Sequence, residues 1–226
     1  MDAKDLKIKV CGINQEGIYE IFNTEFKKNI NFIGNIFYEK SPRNQSVVLN
    51  SYTLVHEAKK VGVFVLKNME TIEDFEKGCN QIFSKRMIHH FDIIQLHGGE
   101  SNAFIEYLKN KSSSIAEVWK VFSIDDNFDF SELNNYPDAD LFLFDTKSPK
   151  HGGTGVKFNW ELLNKIDEYS PKKYFLSGGI GPGDAKEIKK LQLKNLIGLD
   201  LNSKFEKSPG IKDVDLLKQF VTELKN

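Results

Sequence analysis

The sequence has 226 residues, with 31 Lys+Arg against 32 Asp+Glu, 40% hydrophobic and 12% aromatic residues. A net charge of −1 excludes a broadly basic nucleic-acid-binding surface, and 28% charged residues exclude wholesale disorder. The longest stretch without Asp, Glu, Lys or Arg is the 13 residues from Asn44 to His56, too short to span a bilayer.

Met1-Asp2-Ala3-Lys4-Asp5 lacks the apolar core of a signal peptide, and two cysteines form no disulfide framework, so a cytoplasmic location is expected. Eight short apolar runs predict strands: Leu6–Cys11, Asn31–Phe37, Val61–Val65, Asp92–His97, Ala116–Phe122, Asp140–Asp145, Lys173–Ser177 and Leu196–Asp200. Their starts lie 23 to 33 residues apart, about one strand–helix unit each. The runs are mostly continuously apolar, as parallel strands covered by helices must be.

Between them, Thr71 and Asp74 form a capping-box pattern ahead of Phe75, Cys79, Ile82 and Phe83 on one helix face. The fifth connection, from Ser123 to Ala139, is short and rich in Asp and Asn, so its helix should be abbreviated or irregular. Pro182 marks a first helical position ahead of Ala185, Ile188 and Leu191. Behind Asp213, the stripe Leu216, Leu217, Phe220, Val221 and Leu224 predicts a closing helix. The fold class expected is α/β, a single (β/α)8 TIM barrel over residues 1–226. An open doubly wound sheet is the rival, and it usually has fewer strands.

In such a barrel the active site lies at the carboxyl ends of the strands. Cys11 ends the first strand, where a base or nucleophile and a buried small hydrophobe are both open readings. Cys79, on an apolar helix face, reads as structural. Asp145 ends the apolar run Leu141-Phe142-Leu143-Phe144, and partial desolvation there would suit a general acid. Arg43 follows Ser41-Pro42 and could clamp a carboxylate. Gln95, His97 and Asp200 close their strands as candidate substrate contacts. His89 and His90 read as solvated. Gly178, Gly179, Asn202 and Ser203 sit in loops seven and eight, where glycine lets backbone N–H groups approach an anion. The five histidines show no metal-ligand spacing. Neither a Walker A sequence nor a dinucleotide fingerprint is present, so neither nucleotide hydrolysis nor hydride transfer is indicated. The loop from Lys147 to Lys157, with Gly152, Gly153 and Gly155, is expected to act as a mobile lid.

Taken together, these strand ends resemble the phosphoribosylanthranilate isomerase family of tryptophan biosynthesis. The matching pieces run in order: Lys9-Val10-Cys11-Gly12-Ile13, Gly34-Asn35-Ile36-Phe37-Tyr38-Glu39-Lys40-Ser41-Pro42-Arg43, Val61-Gly62-Val63-Phe64-Val65 and Gln95-Leu96-His97-Gly98. They continue through Asp145-Thr146-Lys147, Gly152-Gly153-Thr154-Gly155, Phe158-Asn159-Trp160, Leu176-Ser177-Gly178-Gly179-Ile180 and Ser208-Pro209-Gly210-Ile211-Lys212-Asp213. The resemblance implies an Amadori rearrangement of N-(5′-phosphoribosyl)anthranilate without cofactor or metal. It implies Asp145 as general acid on the ring oxygen, Cys11 as general base at C2′, and Arg43 facing the anthranilate carboxylate. Gly178, Gly179, Asn202 and Ser203 would hold the phosphate. The chain departs from the family's Asp-x-Ser-Ser-Gly-x-Glu loop, reading Asp200-Leu201-Asn202-Ser203-Lys204-Phe205-Glu206. The expected partner is a small phosphorylated substrate, with no nucleic acid or membrane, acting on a monomer or homodimer. Two rivals are a pentose-phosphate epimerase, for which no His/Asp metal cluster is evident, and a non-catalytic phosphate-ligand-binding barrel.

Overall fold

The computed structural model describes residues 3–15, 17–26, 29–45, 58–67, 69–91, 93–112, 114–115, 117–146 and 160–226. Eight parallel strands close into a barrel in chain order: β1 (Lys7–Cys11), β2 (Phe32–Phe37), β3 (Lys59–Phe64), β4 (Ile93–Leu96), β5 (Glu117–Ile124), β6 (Leu141–Thr146), β7 (Tyr174–Ser177) and β8 (Leu196–Leu201). The ring shuts where Lys7 to Val10 of β1 pair with Gly198 to Leu201 of β8. Each predicted strand corresponds to an observed one. The predicted starts Asp92 and Ala116 and the expected lid Lys147–Lys157 lie outside the described residues.

Alternation along the strands sorts side chains into two cores. Ile8, Val10, Ile33, Phe64, Ile94, Leu96, Phe142 and Phe144 face the surrounding helices. Phe32, Val61, Val63, Ile93, Trp119, Val121, Leu141, Leu143 and Phe175 fill the barrel with Cys11. At its amino end the barrel is plugged by aromatic rings. Trp119 stacks on Phe175 at 5.1 Å, and Phe32 meets both edge-on at 5.0 and 5.6 Å. Such pairs contribute about 0.5–1.5 kcal/mol each beyond their burial. The interior changes character at the other end, where Lys9, Gln95 and Asp200 are buried.

The helices form as their sequences dictate. α2 (Ile72–His89) begins at a reciprocal capping box between Thr71 and Asp74 and buries Phe75, Cys79 and Ile82, with Phe83 packed at the edge. α3 (Asn102–Lys111) is capped by Ser101, and α6 (Val214–Lys225) by Asp213. α4 (Trp160–Tyr169) follows β6. The fifth connection is a single 3₁₀ segment, Phe130–Asn135, as its short polar sequence predicts. Elsewhere the helices are shorter than expected. α1 (Ile18–Ile21) runs on into a π segment, Phe22–Phe26, and α5 (Ala185–Ile188) follows a 3₁₀ turn that starts at Pro182. One element had no forecast: a hairpin of β9 (Glu206–Ser208) and β10 (Ile211–Lys212), turning at Pro209-Gly210.

Candidate active site

The carboxyl end of the barrel gathers β1, β4, β6 and β8 around a polar cluster. Lys9 is fully buried inside the barrel and donates to Asp200 Oδ2 at 2.8 Å. Its ammonium also lies beside the Cys11 thiol and favours the thiolate. Gly34 makes this possible. A Cβ there would lie 2.6 Å from Cys11 Sγ and 3.0 Å from Lys9 Nζ, so only glycine lets the two groups share that space.

Charges in this cluster are strongly coupled. Burial pushes the Cys11 thiol up, Lys9 pulls it back and the Asp200 carboxylate adds to the rise, leaving it above its ordinary value. Burial opposes the Lys9 charge, but Asp200 and Cys11 outweigh it and hold its pKa up. Asp200 is raised, first by burial and further by the charge of Asp145, against the pull of Lys9. Its second oxygen, Oδ1, and Oε1 of Gln95 are buried and find no hydrogen-bond partner among the described residues. Native interiors seldom leave such atoms unmatched.

Asp145, the penultimate residue of β6, lies beside Ser123 of β5 and Ser177 of β7. Its side chain is 31% exposed, so it is less desolvated than its apolar strand suggested. His97, at the end of β4, places Nε2 3.4 Å from Asp145 Oδ2. The loop carrying His97 is fixed from below. Glu100 accepts from the N–H groups of Leu66 and Gly98 at 2.7 and 2.8 Å and pairs with buried Lys120 at 3.1 Å.

Arg43 lies on the other side of the mouth. Its Nε and Nη2 donate to the Glu206 carboxylate at 2.9 and 2.7 Å, so its guanidinium is already bound to an acid of the chain. Lys212 joins from the hairpin, donating to Glu206 at 2.7 Å and Asn202 Oδ1 at 2.9 Å. Gly12 has a φ of +70°, and a Cβ on it would lie 2.8 Å from both Arg43 Cδ and Asn202 Oδ1. Three loops therefore converge on one glycine. Gly178 and Gly179 take positive φ of 85° and 69° ahead of the turn at Pro182, and Ser203 is exposed beside Asn202. The stem of Lys204, Cβ and Cγ, lies 3.8 and 3.9 Å from the position a Cβ on Gly181 would take.

Sequence reasoning missed Lys9, Glu206, Lys212 and Glu100. A charged residue inside an apolar run was the available signal for Lys9. His89 departs from its expected solvated state: its ring meets Phe37 at 4.8 Å and its carbonyl accepts from Lys60. Among the described residues, no group of three or more His, Cys, Asp or Glu could hold a metal ion, and no helix is long and apolar enough to cross a membrane.

Comparison with known proteins gives a consistent result. Residues 8–223 match the family described as N-(5′-phosphoribosyl)anthranilate (PRA) isomerase. The chain is 35% identical to the N-(5′-phosphoribosyl)anthranilate isomerase of Parabacteroides distasonis, over 96% of this chain and 92% of that protein. It is 36% identical to the enzyme of that name from Campylobacter jejuni, over 97% and 99%. Among solved structures, it overlays phosphoribosyl anthranilate isomerase from Thermotoga maritima with a TM-score of 0.75 at 24% identity, covering 97% and 98% of the two chains. A further isomerase structure, in complex with reduced 1-(o-carboxyphenylamino)-1-deoxyribulose 5-phosphate, matches with a TM-score of 0.71 at 22% identity, over 97% and 98%.

Proposed function

Because the chain belongs to the N-(5′-phosphoribosyl)anthranilate isomerase family, we propose that Cys11 and Asp145 are the base and acid of its Amadori rearrangement. The reaction converts N-(5′-phosphoribosyl)anthranilate to 1-(2-carboxyphenylamino)-1-deoxyribulose 5-phosphate, a step of tryptophan biosynthesis. Asp145, protonated, gives its proton to the furanose oxygen as the C1′–O bond breaks and the anilino nitrogen lone pair forms a Schiff base. The Cys11 thiolate then takes the C2′ proton. The C–H electron pair enters the C1′–C2′ bond and neutralises the iminium nitrogen. The resulting enol becomes the ketone as C1′ gains a proton and the C2′ hydroxyl gives one up to solvent. General acid–base groups of this kind contribute ~10²–10⁴-fold each.

The carrying observation is the electrostatic link through Asp200. Lys9 bonds Asp200 at 2.8 Å and lies beside Cys11, and the charge of Asp145 acts on Asp200, so acid and base share one field at one barrel mouth. Arg43 is assigned to the anthranilate carboxylate. A guanidinium carries five N–H donors, and Glu206 holds its Nε and Nη2 side, which orients the group. Gly178, Gly179, Asn202 and Ser203 are assigned to the phosphate, since consecutive positive-φ glycines turn N–H groups toward a common anion. Gln95, through its unmatched Oε1, and His97 are assigned to the sugar hydroxyls and to the acid. Both cysteines are free thiols, in keeping with a reducing cytoplasm.

Anthranilate phosphoribosylated in situ tests this reading by loss of the substrate's fluorescence. Turnover supports the isomerase. Binding without turnover would favour a non-catalytic phosphate-ligand barrel instead.

A further inference from the structure

Lys9 stands out because nothing in the reaction above uses it, yet it is a charged side chain held with no exposure inside the barrel. Burying an ammonium is costly unless partners compensate, and replacing the Lys9–Asp200 pair by apolar residues would often cost a fold nothing. Asp200 Oδ1 finds no hydrogen-bond partner among the described residues. Beside the Lys9 ammonium lies the Cys11 thiol: a Cβ on Gly34 would stand 3.0 Å from the one and 2.6 Å from the other. Gly34 withholds the one carbon that would separate them.

We infer that Lys9 is a positioning residue for the thiol: gripped by Asp200 and sharing with Cys11 the space that Gly34 leaves open, its ammonium supplies the counter-charge against which Cys11 releases its proton to water. The inference rests on the reading of Cys11 as base and deepens it. A thiol sealed in a low-dielectric wall resists ionisation, Lys9 offsets part of that cost, and only the thiolate can accept the C2′ proton. The groups acting on Cys11 come from three elements. Lys9 on β1 and Lys212 on β10 favour the thiolate, and Asp200 on β8 opposes it. Asp145 and His97 act on Asp200 in turn, from β6 and the end of β4. Asp200 therefore has two opposed effects. It fixes the ammonium in place, and its own negative charge works against the thiolate.

That opposition supplies a test in which the two variants move in opposite directions. Thiolate formation is followed by ultraviolet absorbance against pH, as the difference between each protein and its Cys11→Ser counterpart, without substrate. Asp200→Asn keeps an oxygen for Lys9 and removes the opposing charge, so the thiol midpoint should fall. Lys9→Met combined with Asp200→Asn removes both charges, leaves no unpaired ion in the core, and should raise the midpoint by about 1–3 pH units over Asp200→Asn alone. The pH at which kcat/KM rises should follow the same order. A midpoint unchanged or raised in Asp200→Asn would overturn the inference, as would equal midpoints in the two variants. The titration needs no turnover, so its failure is distinct from failure of the base assignment, which Cys11→Ser turnover reads alone.

Discussion

His97 Nε2 and Asp145 Oδ2 stand 3.4 Å apart across the end of β5, joining the fourth and sixth strands at the barrel mouth. Both side chains are about one-third exposed, so the contact contributes more to placing the Asp145 carboxyl than to stability. Removing the imidazole should let that carboxyl rotate away from the ring oxygen. His97→Ala is expected to lower kcat by about 10–10²-fold with little change in unfolding midpoint. Steady-state kinetics beside a thermal melt would check this, and an unchanged kcat would detach His97 from the acid.

Arg43 and Glu206 make a second pair with a readable consequence. Arg43→Ala should weaken substrate binding by about 1.5–3 kcal/mol, and lysine should restore only part, because a point charge lacks the fork. Burial alone would raise Glu206, but hydrogen bonds from Arg43 and Lys212 hold it below the ordinary value. A depressed carboxylate stabilises the fold above its unfolded pKa of ~4.3 and loses that contribution as pH falls through the folded value. Glu206→Gln should therefore be less stable than the parent at neutral pH, with the gap closing in acid. Urea melts at neutral and acidic pH measure the gap.

Gly34→Ala tests the shared space between thiol and ammonium. The new Cβ falls 2.6 Å from Cys11 Sγ, a separation that forces the thiol or the strand to move. Overpacking of this kind costs about 1–3 kcal/mol. Turnover should fall by more than the loss of folded protein explains, which kcat per folded molecule determines.

Much of this was legible beforehand, and the parts that were not have physical reasons. The strands showed because parallel strands buried on both faces leave apolar runs such as Leu141 to Phe144. Cys11, Asp145 and Arg43 were legible as strand-end and loop residues. The Lys9–Asp200, Arg43–Glu206 and Lys120–Glu100 pairs were not, since their partners lie 191, 163 and 20 residues apart, the first two joined by barrel closure and the third by the pairing of β4 with β5. The hairpin β9–β10 was missed because its strands have three and two residues, too few for alternation to register. The Pro209-Gly210 dipeptide was its only mark.

The buried Lys120–Glu100 pair predicts a stability effect away from the chemistry. Burial pulls Lys120 below its ordinary value, with Glu100 opposing. Lys120→Met would strand the Glu100 charge in the core and should cost about 3–5 kcal/mol, while adding Glu100→Gln should recover part. Denaturant unfolding of the single and double variants measures the difference.

The central claim is that Cys11 and Asp145 move the two protons. The most direct measurement is turnover of N-(5′-phosphoribosyl)anthranilate by folded Cys11→Ser and Asp145→Asn, with Cys79→Ser as control. Cys79 is buried on α2, with burial pushing its thiol up to about 11, so its replacement should change stability and leave rate near normal. The account predicts that Cys11→Ser and Asp145→Asn each lose ~10²–10⁴-fold or more in kcat, with substrate affinity much less affected. Near-normal kcat in either folded variant would contradict it.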